Sequence, residues 1–215
     1  MLGIVCGLES EAVLARKIAH ARVVCAAAQP LKARRLTQEL VAQGVTRLMS
    51  FGIAGGLEPD LAVGSVVIGT HVYSEKGQWL CDEHWMQDLV EKFPEARIGG
   101  VWGSEFLVAQ AHEKKKLYEQ YHCRIVDMES QCMAQIASEA QLPISVLRVV
   151  CDTSVMNVPP FVMEAIAENG QIDFKRAIGS LFRKPSQIPA LIHVGRGTRH
   201  ALQVLETCSA SIKTV

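Results

Sequence analysis

Hydrophobic and polar positions follow two different periods along the chain. Continuous apolar runs ("LGIVCG", "ARVVCAA", "VTRLMSF", "SVVIGTHVY", "RIGGVWGSEFLVA", "RIVD" and "ISVLRVVCD") have the length and β-branched content of strands. Between them lie segments on the helical period. These are "ESEAVLARKIA" with Val13, Leu14 and Ile18 on one face, 31–43 closed by Gly44, 82–93, "HEKKKLYEQY" and "MESQCMAQIASEA". From Pro159 onward the pattern is helical, broken at Pro185 and Pro189. Strands apolar on both faces and spaced by helices predict an α/β fold. The expected architecture is a single three-layer domain, a mixed, mostly parallel sheet with helices on both faces. Residues 1–215 are expected to form that one domain, with 156–215 a helical C-terminal part packing on it. Ligands of such sheets bind beyond the carboxyl ends of the strands, which puts 7–11, 52–56, 103–106, 127–129 and Asp152 along one rim.

The stretch "SFGIAGGLEPDLAVGSVVIG", residues 50–69, fits this pattern least well. An apolar strand over 45–51 runs into a predicted turn holding Gly52, Gly55 and Gly56, and a second strand follows with no helix between. Three glycines allow close approach of backbone to a ligand and expose N–H groups. Without a following helix they would line the floor of a small pocket rather than hold a pyrophosphate. A plain strand-to-strand turn explains the same residues.

Composition narrows the function classes. The chain is 49% apolar and 20% charged, with 22 basic against 22 acidic residues. A formal charge of zero gives no electrostatic reason to expect nucleic acid or an acidic membrane, although Arg183, Lys184, Arg196 and Arg199 gather near the C-terminus. Seven cysteines, an odd number, do not read as a disulfide framework, and Cys6, Cys25 and Cys151 fall in apolar strands as small hydrophobes. The N-terminus has no basic region ahead of an apolar one, and no run spans a membrane, so a cytoplasmic protein is expected. Cys81 with His84, and His122 with Cys123, lack partners at zinc-site spacing, so no metal is expected. "GRGTRH" at 195–200 looks like a phosphate loop but lies in a helical tract. No G-x-S-x-G elbow is present.

Three carboxylates are left as candidates for chemistry. Glu129 follows a strand and opens a helix, where the positive helix end favours an ionised carboxylate able to accept from vicinal hydroxyls; a simple capping-turn charge is the other reading. Asp152 ends the most apolar strand. Poor solvation there would raise a carboxyl pKa toward the range of a general acid, while a strand-end cap of "DTS" accounts for it equally. Glu11, after the first strand, would suit a base that takes a proton from water, or a solvated helix start.

In order, these pieces resemble the superfamily of purine nucleoside phosphorylases and methylthioadenosine/adenosylhomocysteine nucleosidases. The resemblance runs from about residue 3 to residue 155 through "GIVCGLESEA", "GIAGGLEPDLAVGSVVIG", "GSEFLVA", "VDMESQCMA" and "LRVVCDTS". It implies a nucleoside phosphorylase-like fold and cleavage of the N-glycosidic bond of an adenine nucleoside. Asp152 would protonate the departing base and Glu11 would activate water. Glu129 would accept from the ribose 2′- and 3′-hydroxyls and Met128 would pack on the sugar. Phe106 would stack on adenine near Leu107, with Ala54 and Gly55 beside base and sugar. A non-catalytic nucleoside-binding protein is the alternative of another class.

The "DMES" motif, Pro159 and Pro160, and the tail "RKPSQIPALIHVGRGTRHALQVL" resemble more narrowly the hopanoid-associated phosphorylases, implying adenosylhopane as substrate. The resemblance also implies a homo-oligomer and, with a lipid-linked substrate, a place at the inner membrane face. The alternatives are a methylthioadenosine/adenosylhomocysteine nucleosidase and a general purine nucleoside phosphorylase. An apolar exit for a triterpenoid is expected in "VMNVPPFVMEAIA", which a core-packing helix explains as well. No cofactor is expected. Inorganic phosphate is a candidate co-substrate, but Ile53 replaces the family's hydroxyl residue and "AAAQPLKARR" replaces its second glycine-rich loop. Phosphate would then rest on Gly7 and on Lys32, Arg34, Arg35 or Arg16. Retained Glu11, a carboxylate, would repel a bound dianion.

Overall fold

The computed structural model describes residues 1–172 and 188–212. In chain order the elements are β1 (Leu2–Cys6), α1 (Glu9–Ala15), β2 (Ala21–Cys25), α2 (Pro30–Ala42), β3 (Arg47–Gly56), β4 (Val66–Ser74) and β5 (Gly77–Leu80). Next come α3 (Glu83–Lys92), β6 (Arg97–Gly103), α4 (Ala111–Tyr121), β7 (Cys123–Asp127), α5 (Ser130–Glu139) and β8 (Ile144–Asp152). A short 3₁₀ helix (Pro160–Ala165) and α6 (Ile188–Ile212) complete the chain.

The mixed, mostly parallel α/β sheet flanked by helices is the expected fold class. Strand β1 pairs in parallel with β2 and β3, β3 with β8, β4 with β6 and β6 with β7, whereas β4 runs antiparallel to β5 and β8. The end of β3 also meets β7 antiparallel, Gly55 opposite Val126 and Gly56 opposite Ile125. Strands β3, β8, β4, β6 and β7 therefore close into a ring, with β1–β2 and β5 as extensions.

Alternation along the strands explains why both faces needed cover. Val5, Leu48 and Val146 face a core that includes Ala33 and Leu40 of α2 and Met133 of α5. Their neighbours Ile4, Met49 and Leu147 face the other core, with Ala12 of α1, Leu89 of α3 and Ala201 and Leu205 of α6. Buried on both sides, such strands can carry little polarity. Among the exceptions, Ser50, Asp127, Arg148 and Asp152 sit where the site forms.

Three expectations change. The glycines of "FGIAGG" lie inside β3, which continues to Gly56 with a bulge between Ala54 and Gly55, rather than in a turn. The apolar run after Gly103 is not strand: Phe106 N–H donates to Ser104 Oγ at 3.2 Å and Ser104 Oγ donates to Phe106 O at 2.6 Å, a local turn competing with the sheet. Residues 156–172 form a 3₁₀ helix and an Ile166–Ile172 bridge rather than regular helix. Arg183, Lys184, Pro185 and the first part of the "RKPSQIPALIHV" tail lie outside the described residues. The "GRGTRH" segment is helical in α6, and a Cβ on Gly197 would come within 2.2 Å of Cys151 O, so its glycine serves close packing on β8. Among the described residues no helix is long and apolar enough to cross a membrane.

Candidate active site

A cavity of about 750 Å³ opens at the carboxyl ends of β1, β3, β7 and β8. Its wall contains Glu11, Glu129, Met128, Asp152, Phe106, Leu107, Ala54, Gly55 and Gly7, so nine predicted residues from five sequence segments converge on one space. Lys32 and Arg34 do not join them. Lys32 Nζ donates to the Glu168 carbonyl at 2.6 Å and Arg34 bonds the Gln135 side chain, both away from the cavity wall. Arg16 pairs with Glu9, and Arg35 approaches Glu39 at 3.6 Å on the α2 surface.

At one side of the cavity the carboxylates are built around a cation that the sequence reading did not single out. Arg148, 1% exposed, lies mid-way along β8. Its Nε meets Asp127 Oδ2 at 2.9 Å, and its Nη2 donates to Glu129 Oε2 at 3.0 Å and to Ser50 Oγ at 2.6 Å. Ser50 and Ser130 hydroxyls are 2.8 Å apart, and Ser130 in turn donates to Asp127 Oδ2. Asp127 also accepts from the N–H groups of Glu129 (3.2 Å) and Ser130 (2.9 Å), closing the first turn of α5. Arg148 Nη1 also donates to the Ile53 carbonyl at 3.2 Å, and an Arg inside "VLRVVCD" is the local conflict that announces the cluster.

Glu11 is 1% exposed, which rules out the solvated helix start. Its Oε2 accepts from Gly7 N–H at 2.7 Å and Leu8 N–H at 2.8 Å, and its Oε1 from Ile53 N–H at 2.8 Å. The glycine-rich strand is explained here. A Cβ at Gly52 would lie 2.6 Å from Arg148 Nη1 and 2.7 Å from Glu11 Cδ, so only glycine lets β3 pass under these groups. Burial raises the Glu11 pKa, against the opposing pull of Arg148 and the three N–H groups. Burial likewise pushes Glu129 up to about 7, with Arg148 holding it down and Asp127 and Glu11 adding to the rise. Glu129 at the helix end is thus both desolvated and paired with Arg148. Arg148 keeps its charge: burial works against it, but Asp127, Glu129 and Glu11 outweigh that cost.

On the other side stands Asp152, 8% exposed. Its poor solvation is as expected, and a cation stands beside it. Lys114 of α4, 0% exposed, binds Asp152 Oδ1 and also donates to Thr153 O at 2.9 Å and Met156 O at 3.2 Å. Cys151 Sγ lies 3.2 Å from Asp152 Oδ2. "HEKKKLYEQY" hides this lysine among three, yet Lys114 shares its helix face with Leu117, Tyr118 and Tyr121, all packed in a small core with Trp102.

From this end the wall becomes apolar: Leu14, Val158, Val162, Met163, Ile166, Leu191, Val194 and Leu202, with Arg199, Gln203 and Glu206 of α6. Phe106 is 77% exposed where it meets the cavity. Among the described residues no cluster of three His, Cys, Asp or Glu could hold a metal ion.

Comparison with known proteins adds the lineage. The family model described as "Phosphorylase superfamily" matches residues 20–178, leaving β1 and Glu11 ahead of the match. No curated protein matches the chain. Among solved structures, the futalosine hydrolase of Helicobacter pylori is similar over 98% of this chain and 96% of its own, with 13% identity and a TM-score of 0.74. A 5′-methylthioadenosine/S-adenosylhomocysteine nucleosidase from Neisseria meningitidis, in complex with methylthio-immucillin-A, is similar over 100% and 99%, with 15% identity and a TM-score of 0.75. An S-adenosylhomocysteine nucleosidase from Streptococcus pyogenes is similar over 96% and 94%, with 16% identity and a TM-score of 0.68. At these identities the likeness is one of fold.

Proposed function

The chain belongs to the phosphorylase superfamily, and from that premise we propose that it hydrolyses the N-glycosidic bond of an adenine nucleoside bearing a large apolar group at the ribose 5′ position. Adenosylhopane is the candidate substrate. The observation that carries the choice of water is Glu11. Its carboxylate occupies the N–H groups of Gly7, Leu8 and Ile53, the donors a phosphate would need. A dianion there would displace a buried carboxylate or stand beside it, and the repulsion is large in a poorly solvated pocket. Lys32 and Arg34 stay outside, and Arg148 is already committed to Asp127 and Glu129. The fold neighbours named as a hydrolase and as nucleosidases support the same choice.

In this reading Asp152 gives a proton to the five-membered ring of the base as the bond from C1′ to the base nitrogen breaks. Glu129 accepts from the sugar diol, and its bonds strengthen as positive charge develops on the ring. Water attacks C1′ and passes a proton to Glu11, whose burial makes it a stronger base than a free carboxylate. The arm lined by Val162, Met163, Ile166 and Leu202 receives the 5′ substituent. Adaptable methionine suits a bulky hydrocarbon.

The test is product analysis with adenosylhopane and methylthioadenosine, with and without phosphate. Free sugar, and rates indifferent to phosphate, are expected. Formation of a sugar 1-phosphate would overturn hydrolysis, and turnover of methylthioadenosine alone would overturn the lipophilic substrate and leave the nucleosidase reading, which the Neisseria and Streptococcus folds favour.

A further inference from the structure

We infer that Lys114 is a positioning residue for the reaction, acting through Asp152: it fixes one carboxyl oxygen and receives the negative charge left when that group gives up its proton. The inference rests on the proposed role of Asp152 as acid.

A lysine with no exposure is uncommon, because burying an ammonium is costly unless its donors are met. Here three donors meet three acceptors: Asp152 Oδ1, Thr153 O at 2.9 Å and Met156 O at 3.2 Å. Thr153 follows Asp152 directly and Met156 lies four residues on, so one side chain from α4 ties the end of β8 to the turn that leaves it. A packing role alone does not require the charge, which a methionine of similar length would avoid. The ammonium engages Oδ1, so Oδ2, which accepts from the Cys151 thiol at 3.2 Å in the ionised state, is the oxygen on which the proton is carried. The step balances simply. The O–H bond of Asp152 breaks, its electrons stay on the carboxylate, and an N–H bond forms on the departing base. The new carboxylate charge then faces a fixed cation rather than an apolar wall. Solvent returns the proton after the base leaves.

The titratable groups around Asp152 are few. Lys114 comes from α4, Cys151 from β8 itself and Glu11, farther off, from α1, while β3 offers Gly55. Burial raises the Cys151 thiol well above its ordinary value, with Asp152 adding to the rise, so it stays neutral. Lys114 is the cation in direct contact with this carboxyl.

The experiment compares wild type, Lys114→Met and Lys114→Gln. The glutamine keeps a donor and loses the charge, and serves if the methionine variant does not fold. Adenine release from a nucleoside should fall about 10–100-fold, part of the 10²–10⁴-fold typical of general acids. The alkaline limb of the kcat/KM profile against pH should move to higher pH. Hydrolysis of p-nitrophenyl riboside, whose leaving group departs without a proton, should change less than threefold. Equal losses on both substrates with an unmoved limb would make Lys114 merely structural and overturn the inference. A second readout needs no turnover: the carboxyl infrared band of Asp152, assigned by difference from Asp152→Asn, should persist to higher pH in both variants. An unmoved band sinks the role of Lys114. A moved band in an enzyme that releases no adenine sinks the proposed function while the charge coupling stands.

Discussion

The two ends of the cavity solve one problem differently. At the Glu129 end a single guanidinium gathers two carboxylates and a serine in a cluster whose atoms are nearly all bonded to one another. At the Asp152 end one ammonium from a different helix holds one carboxylate. The first arrangement is planar and many-pointed, with a guanidinium that keeps its charge at the centre. The second is sparer: the partner is a point charge on one oxygen, and the other oxygen has the Cys151 thiol beside it.

The contrast can be broken from its strongest point downward. Asp152→Asn removes the acid while keeping the shape, and adenine release is expected to fall about 10²–10⁴-fold with little change in KM. A rate within a few-fold of wild type would take Asp152 out of that role. Arg148→Met should act on folding instead. It leaves Asp127 and Glu129 buried without their cation, and urea denaturation should show a loss of about 3–5 kcal/mol. A fully stable variant would mean that the cluster matters less to the fold than its burial indicates.

Glu129 sharpens the comparison through pH. Its folded-state pKa is raised from 4.5 to about 7, so between those values the native state holds more protons than the unfolded chain. Stability from this group is therefore full below the lower value and is lost as pH rises through about 7, by on the order of 3 kcal/mol. Glu129→Gln should flatten that slope in thermal melts between pH 4 and pH 8, and should lower kcat more than it raises KM. An unchanged slope would assign the pH dependence elsewhere. The smallest effect concerns the apolar arm: Met163→Ala should cost about tenfold in kcat/KM for a lipophilic nucleoside, by lost burial, and leave methylthioadenosine within twofold. Equal losses for both would detach Met163 from the 5′ group.

How far the sequence reaches is instructive in the same terms. Glu11, Glu129 and Asp152 were legible because each follows an apolar strand, and strand ends in such sheets share one rim. Arg148 was legible in principle, as a charge inside an apolar run, but its partners are 98 residues away at Ser50 and 19 at Glu129. Lys114 was hidden by two neighbouring lysines that face solvent, and periodicity alone could select it only once the aromatic face of α4 was seen. The hairpin at β5 escaped because "GQWL" is short and mostly exposed at an edge, without the alternation that marks a half-buried strand. Lys32 and Arg34 stand off the cavity wall, because charge near a rim says nothing of where a long side chain turns.

The closed ring of strands has a consequence for traffic. Asp152 ends β8, Met128 and Glu129 follow β7, and both strands are hydrogen-bonded to β3, so Asp152 and Glu129 cannot separate without tearing backbone pairs. A floor welded in this way does not hinge. Under the proposed function, entry and exit of the nucleoside fall to the opposite wall, the 3₁₀ segment and α6, which are joined to the sheet by side-chain packing rather than by ladders.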